Sequence, residues 1–179
     1  MRLLLIAALF LPTMSLAAGG GGETTTAPPK PTNTTKVCKG EEVWDASRKK
    51  CAKPKGASLD DDILYGAVRE LAYAGRYEDA QKVLSAMSDQ SDDRVLTYLG
   101  FTHRKMGNVD LGMQYYRRAI AKNPDNLLAR SYMGQGLIEA GETEAALIQL
   151  REIQARGGTG QWPETSLRQA LVSGVTYRY

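Results

Sequence analysis

Thiol and imidazole chemistry in this 179-residue chain is confined to Cys38, Cys51 and His103. Twelve residues separate the two cysteines. That is not the C-x-x-C spacing of a redox pair, and two thiols with no neighbouring histidine make a poor zinc site. In an oxidising compartment such a pair closes a disulfide, whose loop-closure entropy is worth about 3 kcal/mol. A single histidine without a nucleophile or a second base forms no catalytic set, so His103 reads as a packed or hydrogen-bonded core residue. The run Asp60-Asp61-Asp62 suggests calcium, but the remaining ligands and the glycine of an EF-hand loop are missing. It reads instead as a helix start, with Ser58 as the cap and the acids opposing the helix dipole. Gly157-Gly158-Thr159-Gly160 lacks the Gly-Lys-Ser/Thr ending of a phosphate loop and reads as a flexible turn. No catalytic constellation, metal set or cofactor motif emerges, and the chain reads as non-enzymatic.

The compartment follows from the first residues. Met1-Arg2 is followed by nine apolar residues from Leu3 to Leu11, Pro12, and the small-residue segment Ser15-Leu16-Ala17-Ala18. This is the plan of a cleavable secretory leader over 1–17, and the apolar run is too short to span a bilayer. The chain is expected to be exported, periplasmic or secreted. The formal net charge of +3 is unevenly spread. Residues 30–55 carry eight Lys/Arg against three acidic residues, whereas 56–179 carry fourteen against sixteen. A nucleic-acid partner wants its basic face on the folded domain, so that class is not expected.

Three kinds of segment must position these groups. Residues 18–36, rich in Gly, Thr and Pro, have little to bury and read as a disordered linker. Residues 37–55 form the basic, disulfide-looped arm, with Val43-Trp44 and the turn from Asp45 to Lys49 suggesting a small hairpin. Trp44 is either the apolar plug of this mini-fold or an exposed aromatic that stacks on a sugar or packs on a partner. From residue 59 onward the period becomes helical, and this all-α part is expected to fold without the arm.

Glycines with similar neighbours recur at Gly75, Gly107 and Gly141, 32 and 34 residues apart. Leu96, Leu99-Gly100, His103, Gly107, Gly112, Tyr116, Ala119 and Pro124 fill one such period, and Met133-Gly134, Leu137, Gly141, Ala146 and Leu150 the next. Gly100 and Gly134 read as points of close approach between paired helices, Asp125-Asn126 as a helix cap, and Pro163 as the first turn of a closing helix. This pattern resembles the tetratricopeptide-repeat (TPR) superfamily. Leu71–Tyr77 and Asn126–Gly134 look like small exported TPR proteins of Gram-negative bacteria. The resemblance implies a TPR helical-hairpin solenoid over 59–174, with repeats at about 61–92, 93–126 and 127–158, a capping helix at about 163–173 and a tail at 175–179.

The same resemblance implies a function. TPR domains bind extended peptides or helices on the concave face made by the first helix of each pair. On that frame Tyr65, Arg69 and Tyr73, then Arg94, Thr97, Phe101, Arg104 and Lys105, then Ser131, Gln135 and Glu139 line the groove. A basic, aromatic groove suits an acidic or carboxylate-terminated segment of a protein partner, unless the arginines are merely solvated. The expected function is an interaction module or scaffold of the cell envelope. The alternative is an envelope-binding protein whose Trp44 arm contacts cell-wall glycan or anionic lipid while the helices act as a spacer.

Overall fold

The computed structural model of the chain describes residues 26–55 and 59–176. The leader over 1–17, the linker residues 18–25, Ser58 and the tail residues 177–179 lie outside the described residues.

The described chain is mostly helical: α1 (Asn33–Lys36), α2 (Asp61–Tyr73), α3 (Tyr77–Leu84), α4 (Asp93–Lys105), α5 (Val109–Lys122), α6 (Leu127–Glu139), α7 (Thr143–Ala155) and α8 (Trp162–Ser173), with a two-stranded sheet of β1 (Val43–Asp45) and β2 (Lys50–Ala52) between α1 and α2. Starts and stops of the long helices follow from named side chains. Asp60 caps α2, its carboxylate accepting from the Ile63 N–H at 2.8 Å, and Asn126 caps α6 through the Ala129 N–H at 2.8 Å. Asp60 therefore takes the capping role that the sequence suggested for Ser58. Pro163 sits in the first turn of α8.

Helices α2, α4, α6 and α7 all end the same way. Gly75, Gly107, Gly141 and Gly157 adopt φ between +76° and +88°. The next N–H reaches back to a carbonyl five residues earlier, as in Asn108 to His103 and Glu142 to Leu137, both 2.8 Å. This Schellman closure satisfies the free carbonyls of the last turn and needs a residue without a Cβ at the left-handed position. It reverses the chain in about three residues, so α2–α3, α4–α5 and α6–α7 fold into antiparallel hairpins. Helix α4 packs between α2 and α6, and α6 in turn carries α8. Only α3 stops early, at Leu84, where Gln90 donates to the Leu84 and Met87 carbonyls and a polar turn takes over.

The small residues report which helices touch. A Cβ on Gly100 would lie 2.6 Å from the Tyr116 ring and one on Gly112 would lie 2.8 Å from the Gly100 carbonyl, so α4 and α5 are paired as closely as expected. Gly134 differs. Its missing Cβ would meet Leu167 of α8 at 2.7 Å, not the partner helix α7. Its smallness thus admits the closing helix.

Two expectations for the N-terminal part are corrected. Residues 26–36 are packed on α2 and not a free linker. The buried carboxylate of Glu70 accepts from the N–H and hydroxyl of Thr32, both at 2.7 Å, and from the N–H and hydroxyl of Thr35 at 3.0 and 2.5 Å. Nor is the arm separate from the helical core. Cys38 and Cys51 are disulfide-bonded, and Trp44 lies opposite Cys51 in an antiparallel hairpin whose turn is knotted by the Asp45 carboxylate. The plug of this hairpin is Val43, 1% exposed and part of the same core cluster as Leu64 and Leu71. Trp44 is only half-buried, its backbone N–H donating to the Thr34 hydroxyl at 3.2 Å. Arg76 completes the seam through the carbonyls of Cys38 and Gly40.

If the arm belongs to the core, Val43→Ala should cost about 1–2 kcal/mol of global stability, read as a lower denaturant midpoint for the single helical transition. A midpoint equal to wild type would separate arm from core. A second outcome concerns pH. Gln154, the Gly160 N–H and Arg168 all donate to Glu164, in that order of effect, and hold its carboxyl down at about 2. A depressed carboxyl stabilises the fold fully above its unfolded pKa, and that contribution fades as pH falls from about 4.5 toward 2. The stability gap between wild type and Glu164→Gln should accordingly be widest near pH 7 and close by about pH 2 in urea titrations.

Candidate functional site

Residues one helical turn apart share a face, so Tyr65 and Arg69 on α2, Tyr98, Phe101 and Arg104 or Lys105 on α4, and Leu128, Tyr132, Gln135 and Glu139 on α6 line up along the first helix of each hairpin. Because α4 lies between α2 and α6, these three stripes join. What joins them is a row of rings. Tyr65 meets Tyr98 edge-on at 5.7 Å, Tyr98 meets Phe101 at 6.0 Å and Tyr132 at 6.1 Å, and Phe101 packs on Tyr132 at 4.9 Å and on Tyr73 at 6.2 Å. Edge and offset contacts of this kind add to the burial of the rings themselves. The phenols form a second chain, with Trp162 donating to Tyr73 at 3.3 Å, Tyr73 bonding Tyr132 at 2.8 Å, and Tyr132 reaching Tyr98 at 3.5 Å. Burial raises the Tyr98 hydroxyl far above its usual range and pushes Tyr65 up to about 12, against the pull of Arg69 and Arg94. These groups therefore act as neutral hydrogen-bonding phenols.

The four cations expected to form one patch divide into two pairs. Arg69 and Arg94 lie over the Tyr65 ring at 5.9 and 5.0 Å, and Arg104 and Lys105 lie by Phe101 at 5.9 and 5.8 Å. Arg69, Arg94 and Arg104 have partners within the chain. Arg69 donates to the Ala27 carbonyl. Arg94 is clamped between Asp92 at 3.0 Å and Asp62 at 2.8 Å. Arg104 is buried and bonds Glu139 at 2.7 Å, with the Tyr116 hydroxyl 3.4 Å from its Nε. Burial works against the Arg104 charge, but Tyr116 and Glu139 more than offset it, and Glu139 is in turn held below the usual carboxylate range by Arg104 despite its own burial.

Other expected groove residues turn out to be structural. The Thr97 hydroxyl donates to the Asp93 carbonyl at 2.6 Å and accepts from Asn126 at 2.9 Å, tying α4 to the start of α6. Ser131 faces α8, with its hydroxyl 3.0 Å from that of Ser166. Gln135 is the exception: it is completely buried, and neither its amide oxygen nor its amide nitrogen has a hydrogen-bond partner. Arg69 Nε and Arg104 Nη2 share that condition. His103 is half-buried and stacks flat on Tyr115 at 5.5 Å. Its Nδ1 is unpartnered, and burial lowers its pKa.

Tyr98, Tyr132 and Asp93 on this face, and Glu70 on the opposite flank of α2, escaped the sequence reading. Tyr98 and Tyr132 sit at the centre of the face, and the signal was present, since Tyr65, Tyr98 and Tyr132 recur 33 and 34 residues apart. The Asp93 carboxylate, which receives Asn123 at 2.9 Å and Asn126 at 2.6 Å, closes the end of the face where α4 and α6 begin. Glu70 had no sequence signal, because its threonine partners are 35 and 38 residues away.

The described residues define a mostly helical chain bearing a small disulfide-closed arm, and none of the described helices is long and apolar enough to cross a membrane. No family model matches the chain, and no solved structure does. Over 98 residues it is 30% identical to the Phagocyte signaling-impaired protein of Drosophila pseudoobscura pseudoobscura, an alignment covering 52% of this chain and 10% of that protein. The chain thus spans about a tenth of that relative's length.

Because Arg104 is a buried member of an ion pair and Arg94 a surface one, their removal should differ. Arg104→Ala leaves Glu139 without its cation and the Tyr116 hydroxyl without its donor and should cost about 2–4 kcal/mol, whereas Arg94→Ala should cost about 1 kcal/mol or less. Urea denaturation of the two variants checks this, and equal losses would mean that Arg104 is not the structural cation of the pair.

Proposed function

We propose that the chain is an exported interaction module of the tetratricopeptide-repeat type, which holds a peptide segment of a partner protein along the face shared by α2, α4 and α6. The observation that carries this reading is the group of buried polar atoms without partners at Arg69, Arg104 and Gln135, beside a row of rings from Tyr65 to Tyr132 that is itself buried. Unpaired buried donors and acceptors are uncommon in folded proteins because each forfeits its water without compensation. A ligand that supplies the missing hydrogen bonds recovers that cost on binding. The repeat-length recurrence of Gly75, Gly107 and Gly141 at equivalent helix ends supports the repeat architecture. The leader-like first residues and the Cys38–Cys51 bond support an oxidising, extracytoplasmic location.

A second reading, contact of the basic arm with cell-wall glycan or anionic lipid, is favoured by one feature. Lys53 and Lys55 of the arm line a cavity of about 290 Å³ together with Lys82 of α3, which Glu41, also in the lining, approaches at 3.8 Å.

The principal reading is tested by selecting peptides from a displayed random library against the full, disulfide-bonded chain. Selected peptides should lose at least tenfold in affinity on Gln135→Leu, a change that removes both unpaired amide atoms, while the helical circular dichroism stays that of wild type. Selection of no peptide, or peptides whose affinity is indifferent to Gln135→Leu and Arg94→Ala alike, would remove the binding site from this face.

A further inference from the structure

One extended segment already lies against the ring-bearing helices, and it is the chain's own. Residues 26–32, Thr-Ala-Pro-Pro-Lys-Pro-Thr, have no regular secondary structure, and three prolines fix φ at values that keep the backbone extended. Their anchors read main chain and hydroxyls, not charge. Arg69 holds the Ala27 carbonyl, and Glu70, 6% exposed, takes the N–H and hydroxyl of both Thr32 and Thr35. At its far end Thr26 lines a cavity of about 330 Å³ with Tyr65, Arg94, Asn126 and Leu128, where α2, α4 and α6 meet and the row of rings begins.

Resting on the peptide-binding reading above, we propose that the partner segment taken by this face is an extended proline- and threonine-rich chain, and that residues 26–35 occupy one end of its track in cis. Two observations select this chemistry over an acidic ligand. Arg94 and Arg104 are neutralised by Asp92, Asp62 and Glu139, so an acidic segment at either would have to displace carboxylates already in place. The rings of the row are themselves covered, Tyr98, Phe101 and Tyr132 being fully buried; what borders the segment is the flank of Trp44, Ile63 and Ala67 beside Pro29, where a proline ring packs and a pre-extended backbone loses little entropy when bound. Glu70 adds the threonine requirement, since a buried carboxylate facing N–H and hydroxyl groups accepts donors and repels anions. The tethered copy competes with any free one, because a short linker holds it at high effective concentration.

The probe is a synthetic peptide of residues 26–36, acetylated and amidated, titrated by fluorescence anisotropy onto the full chain with its disulfide intact. Thr32→Ala/Thr35→Ala in the protein weakens the cis copy. The peptide should bind that variant at least tenfold more tightly than wild type, and adding Glu70→Gln should abolish the gain. A peptide whose three prolines are alanine should bind at least tenfold more weakly. Equal affinity for wild type and the double variant, at unchanged helicity, overturns cis occupancy of the track, and an alanine peptide that binds as well overturns the proline requirement. Should the variant misfold, the wild-type chain decides alone: saturating peptide should abolish hydrogen-exchange protection of the Thr32 and Thr35 amides, and protection that persists at every concentration overturns the proposal. Library-selected peptides that still depend on Gln135 would leave the peptide-binding reading standing in either case.

Discussion

The contact on which the rest of the molecule depends is the one between α4 and α5, where neither Gly100 nor Gly112 has room for a methyl group. The Tyr116 ring lies flat across Gly100, and the backbone of α5 at Gly112 approaches the Gly100 carbonyl directly. Interiors this dense transmit position as well as stability, because a helix held by its backbone cannot slide or rotate to relieve a clash elsewhere. Helix α4 thereby becomes the fixed reference of the fold. It presents Tyr98 and Phe101 on one side, and from its end Arg104 reaches back under Tyr116 toward Glu139 of α6. The ring row and the buried ion pair share one cause, the depth to which α4 is seated.

The polar groups divide by what they accomplish. Asp93, Asn123, Asn126 and Thr97 bond one another and tie the start of α4 to the start of α6, so that end of the face is rigid and satisfied. Arg69, Arg104 and Gln135 each have a buried polar atom without a partner. A network that satisfied every member would be more stable than one that leaves some unpaired. Tyr65 and Tyr98 stay protonated, and Arg94 and Arg104 carry their own counter-charges.

At the opposite edge the disulfide does more than close a loop. It holds β1 and β2 together so that Val43 projects into the helical core beside Leu64 and Leu71. A three-residue strand pair has too little apolar surface to fold alone, and α2 alone leaves an apolar flank open. Each covers the other. The same flank carries Glu70, and residues 26–36 follow the arm onto it.

Local chemistry made the helices and the hairpin legible in the sequence. Glycines at matching intervals announced left-handed helix ends, Pro163 and Asn126 announced helix starts, and two cysteines bracketing Val43-Trp44 announced the bonded arm, since each signal acts within a few residues of itself. Tyr65, Tyr98 and Tyr132 were legible too, as a recurrence, although the face was read one residue aside at Thr97 and Ser131. Tertiary structure alone decided the rest. Whether Arg69, Arg94 and Arg104 stand free or paired depends on carboxylates and carbonyls brought from other elements, up to 42 residues away in sequence. Whether Gly134 serves its own hairpin or the closing helix depends on where α8 lies. That a Pro- and Thr-rich stretch with no core of its own should be ordered at all rests on one buried carboxylate, Glu70. Its four donors come from residues 35 and 38 positions away, and no local pattern encodes a contact of that length.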